Sequence, residues 1–123
     1  MTIAEAISEI DTLKPNDYTN ADKIKWLSRL DSLIYEEIYC SHQDNPLESF
    51  DGYTGLTDTS TELFVKEPYD NIYRFWLEAQ IDYSNAELGK YNNSITMYNA
   101  AYTAFQNSYN RAHMPLTHSL KFF

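Results

Sequence analysis

From Tyr69 to Tyr109, apolar residues recur at alternating intervals of three and four. They run first as Tyr69, Ile72, Trp76, Ala79, Tyr83 and Ala86, then as Leu88, Tyr91, Ile95, Tyr98, Tyr102, Phe105 and Tyr109. That interval places one apolar stripe along an α-helix, so this half of the chain is committed to helix. Extended, the first series would fall on Lys90 and Asn93, so the second is displaced by two residues, about 200° around a helix. Either the chain breaks near Gly89 to Asn93 and folds back, or one continuous helix packs on different partners along its length. Gly89 and the cap-forming Asn92 and Asn93 favour the break.

The first half reads the same way. Ile3, Ile7, Ile10 and Leu13 share a helical face, Thr2 and Glu5 have capping-box spacing, and Pro15 ends the segment. Thr19 or Asn20 caps a second helix, predicted over about Ala21 to Cys40. Its stripe is Ile24, Leu27, Leu30, Ile34 and Ile38, widened by Trp26 and Leu33. From Ser41 to about Lys66 the pattern dissolves into turn chemistry (Asn45-Pro46, Asp51-Gly52, Asp58 to Thr61), with one short extended run at Leu63-Phe64-Val65. A loop of this length in a small domain usually has a task, and it is expected to project. Pro68 suits the start of the third helix. With three Gly and four Pro in 123 residues, there is little punctuation for many short strands. The predicted fold is a single all-α domain over residues 1–123. It is a small antiparallel bundle of about four helices, with a projecting loop over about residues 41–66 and a C-terminal tail over about 114–123.

The apolar fraction of 43% and aromatic fraction of 15% are too high for a disordered chain. Cys40 is the lone cysteine, so no internal disulfide forms. The start carries Glu5 and Glu9 and does not read as a signal peptide, and no apolar run approaches the length of about 20 residues needed to cross a membrane. Folding in cytoplasm-like surroundings, with no membrane partner, is the expectation.

A net charge of −9 argues against a protein that grips phosphates, because that grip comes from Lys and Arg. Acidic walls suit letting DNA slide past without specific binding, or imitating DNA to occupy a DNA-binding protein. The charge is also unevenly placed. All 18 acids lie within residues 1–90, whereas residues 91–123 hold no acid and only Arg111 and Lys121 as basic residues. Outside its stripe, the last helix carries neutral side chains such as Asn99, Gln106 and Asn110. Charge depletion with many tyrosines resembles a protein interface more than a solvated helix, which usually keeps charge on its outer face. The tail ends on Leu120, Phe122 and Phe123, apolar residues that need a place to dock.

Catalytic signatures are missing: there is no Gly-rich phosphate loop, nucleophile elbow or two-histidine metal helix. Glu36, Glu37, Cys40 and His42 lie close in sequence, but their spacing is no recognised ligand pattern and they fall where a helix frays. Asp44, Glu48 and Asp51 read as a solvated acidic loop rather than paired catalytic carboxylates, and Asn92-Asn93-Ser94 as a coincidental glycosylation match. No enzyme activity, metal or cofactor is expected.

Three stretches look familiar together: Lys23-Ile24-Lys25-Trp26-Leu27-Ser28 with Ile34-Tyr35-Glu36-Glu37-Ile38; Glu62 to Val65 leading into Glu67-Pro68-Tyr69-Asp70, Ile72-Tyr73, Trp76-Leu77, Gln80 to Tyr83 and Tyr91-Asn92; and Tyr98-Asn99, Phe105, Tyr109-Asn110-Arg111 and His113-Met114-Pro115. They resemble the head–tail connector (head-completion adaptor) proteins of long-tailed phages and prophages of Gram-positive bacteria, over most of the chain except the loop around 43–60. The resemblance implies a non-enzymatic viral structural protein in the virion neck. Its implied partners are the portal protein, the next neck or tail-completion protein, and its own copies in a ring, dodecameric by that likeness. Carried over, the portal-facing candidates are Arg111, His113, Met114, Pro115, Lys121, Phe122 and Phe123, and the channel- or tail-facing candidates are Asp44, Glu48, Asp51 and Asp58. Asn99, Gln106 and Asn110 are the candidates for the contact between subunits. Deleting residues 116–123 is expected to leave the helical circular-dichroism spectrum intact and abolish binding to a portal ring. Undiminished binding would remove the tail from this account.

Overall fold

The computed structural model describes residues 1–42, 45 and 47–113. Among these are four α-helices: α1 (Ile3–Leu13), α2 (Asn20–Glu37), α3 (Asn71–Ser84) and α4 (Leu88–Ala112), with a short 3₁₀ turn at Tyr39–Ser41 after α2. The fold is a small all-α bundle.

The two N-terminal caps form as their spacing requires. In α1 the Glu5 amide donates to Thr2 Oγ1 at 3.1 Å, while the Thr2 amide donates to Glu5 Oε1 at 2.9 Å. Thr19 and Asp22 repeat the arrangement at α2. Each reciprocal pair satisfies two backbone donors that a helix start leaves open, worth about 1 kcal/mol.

At the other end of α2 the helix stops at Glu37, and Tyr39–Ser41 tightens into the 3₁₀ turn instead of continuing to Cys40. The third helix starts at Asn71, leaving Pro68 three residues outside it.

Packing centres on α3, which touches each of the other helices and runs longest beside α4. A central helix must bury a wide arc. Ile72, Tyr73, Leu77 and Ile81 are fully covered, whereas Tyr83, assigned to the stripe by spacing, is 64% exposed. The register predicted from Tyr69, Trp76 and Tyr83 is therefore rotated. Leu13 and Leu33 also turn outward from the faces expected to bury them.

The break between α3 and α4 lies at Asn85–Glu87, ahead of Gly89, which sits inside the first turn of α4. Ala86 takes a left-handed conformation (φ 58°), its amide donates to the Tyr83 carbonyl, and the Glu87 amide reaches back to Asp82 O at 2.9 Å. This is the paired bonding of a Schellman ending, with alanine where glycine is usual, at a cost of about 1–2 kcal/mol.

The long connection between α2 and α3 clasps the bundle over its described residues, instead of projecting. Tyr53, Leu63 and Val65 are buried, and the exposed residues include Leu56, 98% exposed at the tip. The Leu63 amide donates to Met1 O at 2.9 Å, and the Ile3 and Ala4 amides donate to Thr61 O and Thr59 O. Gly52, at φ 88°, allows the close approach to α2: a Cβ there would stand 2.6 Å from Ser28 Oγ, the atom that accepts the Tyr53 amide at 2.9 Å.

Two ion pairs lock α1 onto the others. Lys14 Nζ meets Asp82 Oδ1 at 2.6 Å, and Ser94 Oγ of α4 donates to the second oxygen of the same carboxylate at 2.8 Å. Lys23, its stem buried, reaches Asp11 at 2.6 Å.

Trp76 joins α3 to α2 and α4, donating from Nε1 to Trp26 O at 2.8 Å and packing on Tyr98 at 5.0 Å between centroids. Trp76→Ala is expected to destabilise the fold by about 3–5 kcal/mol in urea unfolding. A loss below about 1 kcal/mol would show that α3 is not the centre of the packing.

Candidate functional site

The second half of the chain presents a long neutral surface. Every exposed residue of α4 from Asn92 to Asn110 is uncharged: Asn92, Asn93, Thr96, Met97, Asn99, Ala100, Thr103, Ala104, Asn107 and Asn110. At 1.5 Å per residue this face extends about 27 Å. The opposite face of α4 packs inward through Ser94, Tyr98, Ala101 and Phe105, so the outer face consists of small and amide side chains together with Met97, 49% exposed, left over from core packing. Just beyond its N-terminal end, Leu88 and Tyr83 are each 64% exposed.

The three residues proposed for subunit contact are placed differently. Asn99 lies open on this face, Gln106 is half-buried, and Asn110, exposed at its end, also brings Oδ1 within 2.7 Å of His42 Nε2 in its own chain. The other nitrogen of that buried ring, Nδ1, lies 2.5 Å from the Ile38 carbonyl. Asn110 thus fastens the end of α4 to the 3₁₀ turn after α2, which gives it a role within the subunit.

Rings reinforce the same junction. Phe64 stacks on Tyr39 at 5.3 Å, Tyr39 on Tyr109 at 5.3 Å, and Tyr109 on His113 at 3.9 Å, forming a continuous column from the connecting segment to the last described residue. Of the portal-facing candidates, Arg111 is exposed on the final turn of α4 and His113 is half-buried in this column. Met114, Pro115, Lys121, Phe122 and Phe123 lie outside the described residues.

Of the loop acids, Glu48, Asp51 and Asp58 are exposed, and Asp44 lies outside the described residues. Asp58 has a local task. Its Oδ1 accepts from both the amide and the hydroxyl of Ser60, and the backbone bond foremost holds the carboxyl below its ordinary range.

Among the described residues no group of three or more His, Cys, Asp and Glu converges in a metal-binding arrangement. His42 is bonded to Ile38 and Asn110, Glu37 accepts from the Tyr102 hydroxyl at 2.5 Å, and Cys40 is exposed. Among the described residues no helix is long and apolar enough to cross a membrane.

The most constrained polar group escaped the reading of the sequence. Asp31 is 0% exposed. Its Oδ2 accepts from Tyr53 Oη at 2.5 Å and the Phe64 amide at 3.2 Å, and its Oδ1 from Tyr73 Oη at 2.7 Å. Tyr73 Oη in turn accepts the Val65 amide at 2.8 Å. The signal was present: Asp31 stands four residues after Leu27 and three before Ile34, a carboxylate in the middle of the apolar stripe.

Compared with family models, curated proteins and solved structures, the chain matches none.

Proposed function

We propose that this chain is a structural subunit of a phage neck. In this reading it forms an adaptor ring that joins the portal to the tail and lines part of the DNA channel. The observation that carries the proposal is the uncharged outer face of α4. A helix of 25 residues in a protein of net charge −9 exposes no charged side chain between Asn92 and Asn110. Copies of such an acidic subunit repel one another wherever their carboxylates meet, and a neutral face is where they can approach without that penalty. A ring needs a head-to-tail contact repeated between unlike surfaces, so one face of α4 in the core and the other against a neighbour fits its geometry.

The acids, confined to the first 90 residues, are the part of the surface that would repel DNA passing through a lumen. The sequence resemblance to head–tail connectors supports the same assignment, and by that likeness the portal contact would lie at the end of α4 and beyond. In this reading the protein resides in the virion neck and performs no catalysis.

Ala100→Glu puts one carboxylate in the middle of the neutral face, at an exposed position where glutamate is a good helix former. The variant is expected to keep the wild-type circular dichroism and melting temperature. Its assembly onto portal rings, followed by light scattering, should weaken by about tenfold or more, since an unpaired charge at an interface costs more than about 1.4 kcal/mol. Undiminished assembly would remove this face from the ring contact. A wild-type chain that ignores the portal, stays monomeric and blocks a DNA-binding enzyme would favour an acidic DNA mimic instead.

A further inference from the structure

One buried carboxyl group gathers three of the bonds that hold the connecting segment to the bundle. Tyr53 Oη and the Phe64 amide both end on Asp31, and the Val65 amide ends on the tyrosine that Asp31 holds. Among the described residues no cation stands within ion-pair distance of Asp31. The nearby Lys66 pairs with Glu62 at 3.4 Å, and Asp31 feels it only at longer range. Ionised and closed off from water, Asp31 is therefore balanced by neutral donors alone, and an uncompensated buried charge disfavours the closed state. Protonated, it carries no buried charge, and a tyrosine hydroxyl beside it has to turn to accept its proton.

We propose that the segment from Phe50 to Val65 is a proton-coupled strap: closing over Asp31 takes up a proton at that carboxyl, and ionising Asp31 loosens the strap. This goes beyond the neck assignment and does not depend on it.

The groups facing Asp31 from each neighbouring element are Tyr53 and Lys66 on the connecting segment, Tyr73 on α3 and Tyr39 on the 3₁₀ turn. Burial pushes all three tyrosine hydroxyls well above their ordinary value, so they stay neutral through the physiological range. Burial likewise raises Asp31, from an ordinary 3.8 to about 6. The sign follows from proton linkage. The closed form binds the proton more tightly than the open one, so closure is strongest below the open-state value. It weakens as pH rises from about 4 to about 6, then levels off.

Hydrogen exchange on the full chain, with each rate corrected for intrinsic pH dependence, tests this at the Phe64 and Val65 amides. Their protection should be about tenfold lower at pH 8 than at pH 5. Asp31→Asn should flatten the profile, while Tyr53→Phe, which keeps the carboxyl, should retain it. Carbon-13 titration of the Asp31 carboxyl in the wild type should give a midpoint near 6, and this readout survives if the asparagine variant does not fold. Protection that is independent of pH, a midpoint near the ordinary 3.8, or an equal tenfold change at the core amide of Leu77 in α3 would each overturn the strap. The last would make the effect a property of global unfolding.

Discussion

A carboxylate removed from water has to find donors, and where Asp31 finds them decides much of this fold. Its position on α2 is 0% exposed, and the three donors come from two other parts of the chain: Tyr73 from α3, and Tyr53 and Phe64 from the connection. Leaving any of them unmade strands a buried polar group at about 1–3 kcal/mol. The long connection is thereby turned back over α2, with Leu63 and Val65 carried into the core beside it. Gly52 and the bond from Tyr53 to Ser28 complete the close approach. Asp82 does comparable work at the α1 side, gathering Lys14 and Ser94.

The helical nature of the chain was legible because its evidence is local. Thr2 with Glu5 and Thr19 with Asp22 form caps from residues three apart, and the stripes from Ile24 to Ile34 and from Tyr98 to Tyr109 report a helix's own period. What failed depends on the rest of the molecule. Gly89 suggested the break because glycine breaks helices, but a left-handed Ala86 supplied it. Such a choice shows only when the Tyr83 and Asp82 carbonyls are seen taking the returning amides. Tyr83 and Ala86 continued a stripe in sequence that α3, enclosed on several sides, does not use. The connection read as projecting because Asp51-Gly52 and Asp58 are turn chemistry, and turn chemistry does not reveal that Tyr53, Leu63 and Val65 will be covered.

The candidate surface was legible in composition and then sharpened by geometry. Absence of acid after Glu87 is visible in the sequence, and the structure locates the neutral residues on the outside of α4. Asn99 stands on that face. Asn110, grouped with it by its residue type, is exposed too, and its side chain also meets His42 as an anchor within the subunit. The aromatic column from Phe64 through Tyr39 and Tyr109 to His113 places the strap and the exit of α4 in one contiguous cluster. The segment held by Asp31 therefore borders the end of the molecule proposed to meet the portal.

The account stands on the outer face of α4 being covered by a neighbouring subunit in the assembled particle. Asn99→Cys, in a Cys40→Ser background that removes the exposed native thiol, reports this directly through its rate of maleimide labelling. The account predicts rapid labelling of the free chain and strong shielding in the intact neck. Equal rates in the two would contradict it, leaving a neutral helix face that simply meets water.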